Sequence, residues 1–269
     1  MAETSRHDAW QAGEPYDFYM GRWSRQIAPR FLDWLDAPAG LDWLEIGCGT
    51  GALSSAILAQ CEPKSLLAID PSEGFLKKAR ENVPDARALF QVGDAQALPA
   101  DTASMDVIVS SLVLNFIPDR EKALAEMKRV GRIAARVGFY VWDYPGGGVE
   151  FMRAFWNAAT ALDPGAMDLM EGRRFPFCTQ DGLTDLAKRA GLTSIDSIAI
   201  EVPTVFKDFE DYWRPFTLGG GPAPGYCASL DPDARQRLRD KLHEALPRSD
   251  DGSIHLKTRA WAVRATVPG

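Results

Sequence analysis

The chain has 269 residues, 46% hydrophobic and 25% charged, with a net charge of -7. This balance excludes a disordered, collagenous or coiled-coil chain, and it supplies no basic excess for a nucleic-acid backbone. The most apolar stretch, 105–116, is broken by Ser110, Ser111 and Asn115 and is shorter than the roughly 20 residues of a membrane-spanning helix.

Residues 1–10 carry Glu3, Arg6, His7 and Asp8 and lack an apolar centre, so a cytoplasmic location is the default expectation. Cys48, Cys61, Cys178 and Cys227 are scattered without a C-x-x-C pair. Reduced thiols and no metal are expected. A monomer or homodimer is expected.

Along the chain, Ile27, Phe31, Trp34 and Leu35 fall at helical spacing, with Pro29 requiring a kink or a restart. They lie in an N-terminal helical segment, 1–40. A strand over 41–46 enters a glycine cluster, and Leu53, Ile57 and Leu58 mark the helix after it. A second strand, 65–69, ends at Asp70-Pro71-Ser72, where Ser72 can cap a helix carrying Phe75, Leu76, Ala79 and Val83. Strands follow at 87–92 and 105–111, then a helix with Ala123, Leu124, Met127 and Val130 on one side, then a strand over 135–142.

Alternation of strand and helix is the α/β pattern. Two stretches rich in Pro, Gly and aromatic residues, 145–178 and 204–251, interrupt it and read as insertions on a single domain of 1–269. Thr179 can cap a helix stopped by Gly191, a sixth strand covers 193–202, and 254–267 suits a seventh.

The sharpest chemical signal is Leu44-Glu45-Ile46-Gly47-Cys48-Gly49-Thr50-Gly51, a glycine-rich loop placed from strand to helix. Glycines permit a tight turn and close approach of a ligand, and free N–H groups opening a helix favour polar or negative groups. The alternative is a turn without a ligand. Asp70, some 20 residues further on, suits a ribose diol, because a carboxylate takes two donors at once; a turn aspartate before Pro71 is the other reading. Asp94-Ala95 supplies a second acceptor, suited to an exocyclic amine, or again a turn.

Glu45-Ile46-Gly47-Cys48-Gly49-Thr50-Gly51, Asp70, Gly93-Asp94-Ala95 and Met105-Asp106-Val107-Ile108 resemble the successive motifs of class I S-adenosylmethionine-dependent methyltransferases, over roughly 41–142. The front segment Tyr16-Asp17-Phe18-Tyr19-Met20-Gly21-Arg22-Trp23-Ser24 resembles the lead-in of bacterial small-molecule members.

The resemblance implies an α/β, Rossmann-like sheet of seven strands in order 3-2-1-4-5-7-6, the last antiparallel, with helices on both faces and lid insertions. It implies S-adenosylmethionine as cofactor, with S-adenosylhomocysteine as product. Gly47, Gly49 and Gly51 would pass under its methionine part and ribose, and Asp70 would hold the ribose hydroxyls. Asp94 and the Ala95 backbone would meet the adenine amine, Phe75 or Leu98 would cover its face, and Ser110 and Leu112 would line the methionine end. Arg22 would take the carboxylate, since a guanidinium binds it bidentately. Tyr19, Glu45, Cys48, Pro71 and Ser72 complete the cofactor set.

For the acceptor, Asn115, Phe116, Trp142 and Tyr144 are the candidates, with Tyr144 nearest the transferred methyl. The insertion aromatics Phe151, Phe155, Trp156, Phe175, Phe177, Tyr212, Trp213 and Phe216 form either an apolar lid or the cores of the insertions. Leu238, Leu242 and Leu246 recur every four residues, which puts His243 on the solvated side of a helix.

The function implied is methyl transfer to an O, N or C nucleophile of a small, partly apolar molecule. Gly47-x-Gly49-x-x-Ala52 also satisfies a relaxed dinucleotide fingerprint, so an NAD(P)-dependent oxidoreductase is a competing reading. A cofactor-binding module without turnover is a third.

Overall fold

The computed structural model describes residues 17–219 and 221–269; Tyr16, His7 and Gly220 lie outside the described residues. In chain order, a π-helical turn at Asp17–Gly21 leads into α1 (Arg22–Leu35), then β1 (Asp42–Ile46), α2 (Ala52–Gln60), β2 (Ser65–Asp70), α3 (Glu73–Asn82) and β3 (Ala88–Val92). There follow β4 (Met105–Ser111), α4 (Arg120–Val130), β5 (Gly131–Trp142), α5 (Glu150–Leu162), α6 (Glu171–Arg174) and α7 (Gln180–Arg189). The chain ends with β6 (Thr193–Phe206), α8 (Phe209–Trp213), α9 (Pro222–Ser229), α10 (Pro232–Ala245) and β7 (Ile254–Thr266).

The seven strands form one sheet in the order β3-β2-β1-β4-β5-β7-β6, as expected. β1 pairs in parallel with β2 and β4, β2 with β3, and β4 with β5. β7 runs the other way: Ala134 near the start of β5 donates to Val267 just past the end of β7, and Thr193 opening β6 meets Thr266.

The described residues divide into two compact units: Ser24–Val141, Phe177–Ile200 and Ala260–Gly269 make a sheet unit, and 17–23, Trp142–Pro176 and Glu201–Arg259 make an insertion unit. Both stretches that interrupt the α/β rhythm thus fall almost wholly in one compact body.

In the sheet unit, α1 is continuous through Pro29, so no restart occurs there. The helix seats Phe31 and Leu35 on β5 at Gly138, where an added Cβ would stand 2.8 Å from the Phe31 ring and 2.9 Å from Leu35. Ser72 caps α3, Asp119 caps α4 and Thr179 caps α7, each accepting from a first-turn N–H.

In the insertion unit, β6 extends to Phe206, beyond the expected end at 202. Val202, Thr204 and Phe206 are buried there in alternation with exposed neighbours. The aromatics considered for a lid pack against one another: Phe155 stacks on Phe216 at 4.4 Å, Tyr19 sets its edge on Phe151 and Phe216, and Tyr212 donates to the Phe151 carbonyl at 2.8 Å. Phe151, Phe155, Trp156, Tyr212, Trp213 and Phe216 are all buried and form this unit's core. On α10, Leu238 and Leu242 are buried and His243 is exposed, as its periodicity predicts.

The turn after β5 is closed by an ion pair. Asp143, whose side chain is 1% exposed, accepts from Arg259 at 2.6 and 2.8 Å and from the Gly146 N–H at 2.9 Å. Gly146 and Gly148 crowd that carboxylate so closely that a Cβ on either would stand within 2.7 Å of its oxygens. Removing Arg259 would strand a buried charge, so Arg259→Ala is expected to destabilise the protein by on the order of 3 kcal/mol in urea unfolding. A change below about 0.5 kcal/mol, the usual range for a surface substitution, would contradict this.

Candidate functional site

The carboxyl ends of β1, β2, β3 and β4 bring most of the expected residues to one edge of the sheet unit. The glycine loop there is tied almost entirely to its own chain. Gly47 and Cys48 donate to the Ile69 carbonyl at 2.8 and 3.0 Å, Gly51 to the Cys48 carbonyl at 2.9 Å, and Gly49 to Asp70 Oδ2 at 3.0 Å. The expectation of free loop N–H groups is therefore corrected at these four positions.

The three glycines differ in purpose. A Cβ on Gly47 would stand 2.5 Å from Val113, and one on Gly51 would stand 2.9 Å from Val83, so both are required by packing. Gly49, at φ 54°, has nothing within 4 Å of its Cβ position. Only there does the missing side chain leave open space beside the backbone.

Asp70 is 7% exposed and divides its carboxylate: Oδ2 takes Gly49 N–H and Oδ1 takes Ser72 N–H at 2.9 Å. Burial pushes its carboxyl up, and the Ser72 and Gly49 N–H groups pull it back. Each oxygen retains a lone pair for a further donor. Pro71 is exposed, Phe75 is half-buried, Leu98 is buried, and Asp94 is exposed with Oδ1 held by Gln96 N–H at 2.8 Å. Ala95 follows, 9% exposed.

Beneath the loop, Glu45 is fully buried and accepts from Ser54 Oγ at 2.5 Å, while its Oε1 has no partner among the described residues. Burial raises its carboxyl to about 7, Ser54 lowers it and Asp70 raises it. Cys48 beside it is buried and its thiol is pushed far up by burial, then by Glu45 and Asp70, so it is inert at neutral pH.

At the exit of β4, Leu112 holds φ 59° and donates to the Tyr140 carbonyl at 2.8 Å. Ser110 is 1% exposed and Asn115 3%; Ser110 Oγ and Asn115 Nδ2 lack partners among the described residues, and Phe116 is half-buried.

Four expected residues belong to the insertion unit. Trp142 is buried; Tyr144 is half-buried, 6.0 Å from the Phe175 ring. Tyr19 is a core residue whose hydroxyl is held well above its ordinary range by burial, then by Glu171, Tyr144 and Tyr212. Glu171 was not legible in the sequence: it is 4% exposed and accepts from Trp156 Nε1 at 2.7 Å. Arg22 Nη1 binds both oxygens of Asp211, at 3.0 and 3.2 Å, under cation–π contacts to Trp23 and Phe206. Its charge is thus balanced by a carboxylate of its own chain.

A family described as "Methyltransferase domain" matches residues 44–137, the strands and loops just described. An uncharacterised methyltransferase of Geobacillus sp. (strain WCH70) is 32% identical over 177 residues, covering 63% of this chain and 79% of that protein. The chain belongs to the class I S-adenosylmethionine-dependent methyltransferases. A malonyl-[acyl-carrier protein] O-methyltransferase of Geobacter sulfurreducens is 29% identical over 188 residues, 67% of each chain. The matched stretch spans only 35 and 42% of two other curated relatives. The fold also resembles phosphoethanolamine N-methyltransferase 2 of Haemonchus contortus, solved with S-adenosylhomocysteine, with a TM-score of 0.56 and 16% identity over 95% of this chain and 56% of that one.

The residues fit the family cofactor, through the open space at Gly49, the half-used Asp70 carboxylate and the partnerless polar atoms of Glu45, Ser110 and Asn115. Among the described residues, no group of three or more His, Cys, Asp or Glu could hold a metal, and no helix is long and apolar enough to cross a membrane.

Glu45 links this site to pH. Its folded value of about 7 lies above the ordinary 4.5, so its contribution to stability is full below 4.5 and is lost as pH rises through about 7. Glu45→Gln is therefore expected to be more stable than the parent at pH 8 by up to about 3 kcal/mol, with the gap closing towards pH 4.5. Urea unfolding of both proteins across that range is the measurement; a pH-independent gap would contradict it.

Proposed function

We propose that this protein transfers a methyl group from S-adenosylmethionine to an O, N or C nucleophile of a small, partly apolar acceptor. The observation that carries the reading is the pairing of Asp70 and Asp94 with a glycine loop whose donors are already consumed. A pyrophosphate draws on loop N–H groups. Here Gly47, Cys48, Gly49 and Gly51 have given theirs to Ile69, Asp70 and Cys48, while two carboxylates at successive strand ends retain acceptors for a ribose and an amine. That arrangement suits one nucleoside without a phosphate chain.

When bound, the cofactor supplies a methyl group on an activated sulfonium, so the acceptor's nucleophile needs little acid assistance. The chain's task is then to hold and desolvate, which contributes about 7 to 11 kcal/mol when reacting atoms are aligned. Asp70 orients the ribose, Ala95 with Phe75 or Leu98 flanks the base, and Glu45, Ser110 and Leu112 meet the methionine end. Phe116, Trp142 and Tyr144 remain the acceptor candidates, with acceptor recognition carried by the insertions 145–178 and 204–251.

Within the insertion unit His243 lies exposed against Arg248 and Phe209, and His255 pairs with Ser253. We infer catalysis by placement rather than by a histidine base, which suits an acceptor that is an amine or an already ionised oxygen. A malonyl group, the one printed in the name of the Geobacter relative, is the first acceptor to screen. A cytoplasmic monomer or homodimer is the accompanying proposal, supported by four scattered, buried thiols.

Titration calorimetry tests the cofactor. S-adenosylmethionine and S-adenosylhomocysteine are expected to bind and NAD is not; a response to NAD with none to S-adenosylmethionine would overturn the proposal. Gly49→Val, with native circular dichroism, is expected to abolish S-adenosylhomocysteine binding, because a branched side chain enters the open space at a φ it rarely adopts. Retained affinity would make the loop purely structural.

A further inference from the structure

We infer that Asn115 hydrogen-bonds the carboxylate of the cofactor's amino-acid end, a role that rests on the cofactor reading above and that differs from the acceptor contact its sequence position suggests.

Asn115 lies in the short helical turn Leu114–Phe116 after β4, in a buried position, and its Nδ2 has no partner among the described residues. A buried amide left with an unused donor signals an acceptor that arrives with a ligand. The turn is held in place by its own backbone: Leu112 N–H goes to Tyr140, Phe116 N–H to Val113 and Ile117 N–H to Leu114. Leu112 keeps a left-handed φ of 59° to make that exit. A non-glycine residue there is strained, as is common where a chain is shaped for a ligand.

Its place along the sheet edge fixes which part of the ligand it meets. The strand order β3-β2-β1-β4 sets out Asp94, Asp70, the glycine loop and the Asn115 turn in that sequence. Val113 lies against Gly47 at one end of the loop, whereas Asp70 grips Gly49. A nucleoside with its base towards Asp94 and its diol on Asp70 directs its 5′ substituent towards β4. In S-adenosylmethionine that substituent carries the amino acid. A carboxylate arriving there needs donors, and the N–H groups of Gly47, Cys48, Gly49, Gly51, Leu112 and Phe116 are consumed. Asn115 Nδ2 and Ser110 Oγ are the buried side-chain donors of this edge without a partner among the described residues, and of the two only Asn115 stands in the turn beyond β4.

A thermodynamic cycle measures this contact directly. Calorimetric affinities are taken for the parent and Asn115→Ala, each with S-adenosylhomocysteine and with its decarboxylated counterpart, 5′-(3-aminopropylthio)-5′-deoxyadenosine. The substitution is expected to weaken S-adenosylhomocysteine at least tenfold and the decarboxylated ligand less than twofold. Equal weakening of both, or no weakening of either, would overturn the assignment. A parent that binds neither ligand would instead overturn the cofactor reading itself. Should Asn115→Ala fail to fold, Asn115→Asp serves. It sets a negative charge against the carboxylate, so it is expected to penalise S-adenosylhomocysteine at least tenfold more than the decarboxylated ligand, and an equal penalty would overturn the assignment.

Discussion

The site depends on one hydrogen bond, from Gly49 N–H to Asp70 Oδ2 at 3.0 Å. It fixes the loop after β1 to the end of β2, in a conformation with positive φ at Gly47, Gly49 and Gly51. Through Oδ1 the same carboxylate holds the entrance to α3. Asp70 is therefore a structural acceptor as well as a ribose candidate. Replacing it by alanine would unfasten two loops, and the milder Asp70→Asn is the variant that separates the roles, because it keeps one oxygen.

Around that bond the chain concentrates buried polar groups. Glu45 and Asp70 are both removed from water, both raised by burial, and close enough that Asp70 adds to the rise at Glu45. Ser54 meets only one oxygen of Glu45. Buried acids with unused acceptors make a fold less stable at neutral pH, and such tension concentrates where a ligand completes the hydrogen bonding.

The strands and helices of the sheet unit were legible because strand length, glycine punctuation and capping residues agree, whereas the strand order came from the resemblance to the methyltransferase family. Ser72 and Thr179 cap the helices their positions predict. Four features were not legible, for physical reasons. Pro29 reads as a break from local propensity alone, yet α1 is continuous through it, with Phe31 and Leu35 seated on Gly138. Loop glycines look alike in sequence, but their reasons lie in Val113 and Val83, which are distant along the chain. The bond from Trp156 to Glu171 spans 15 positions, and no local pattern announced it. Arg22 was visible as a cation, but its partner Asp211 lies 189 positions away.

We propose that a single nucleoside lies across the ends of β2 and β3 with its diol on Asp70. A crystal structure of the protein with S-adenosylhomocysteine tests it most directly. Both ribose hydroxyls are expected within hydrogen-bonding distance of the Asp70 carboxylate and the adenine amine at Asp94, with the Gly49 bond to Asp70 intact. A bound ligand whose ribose lies elsewhere, leaving Asp70 with only Gly49 and Ser72, would contradict it.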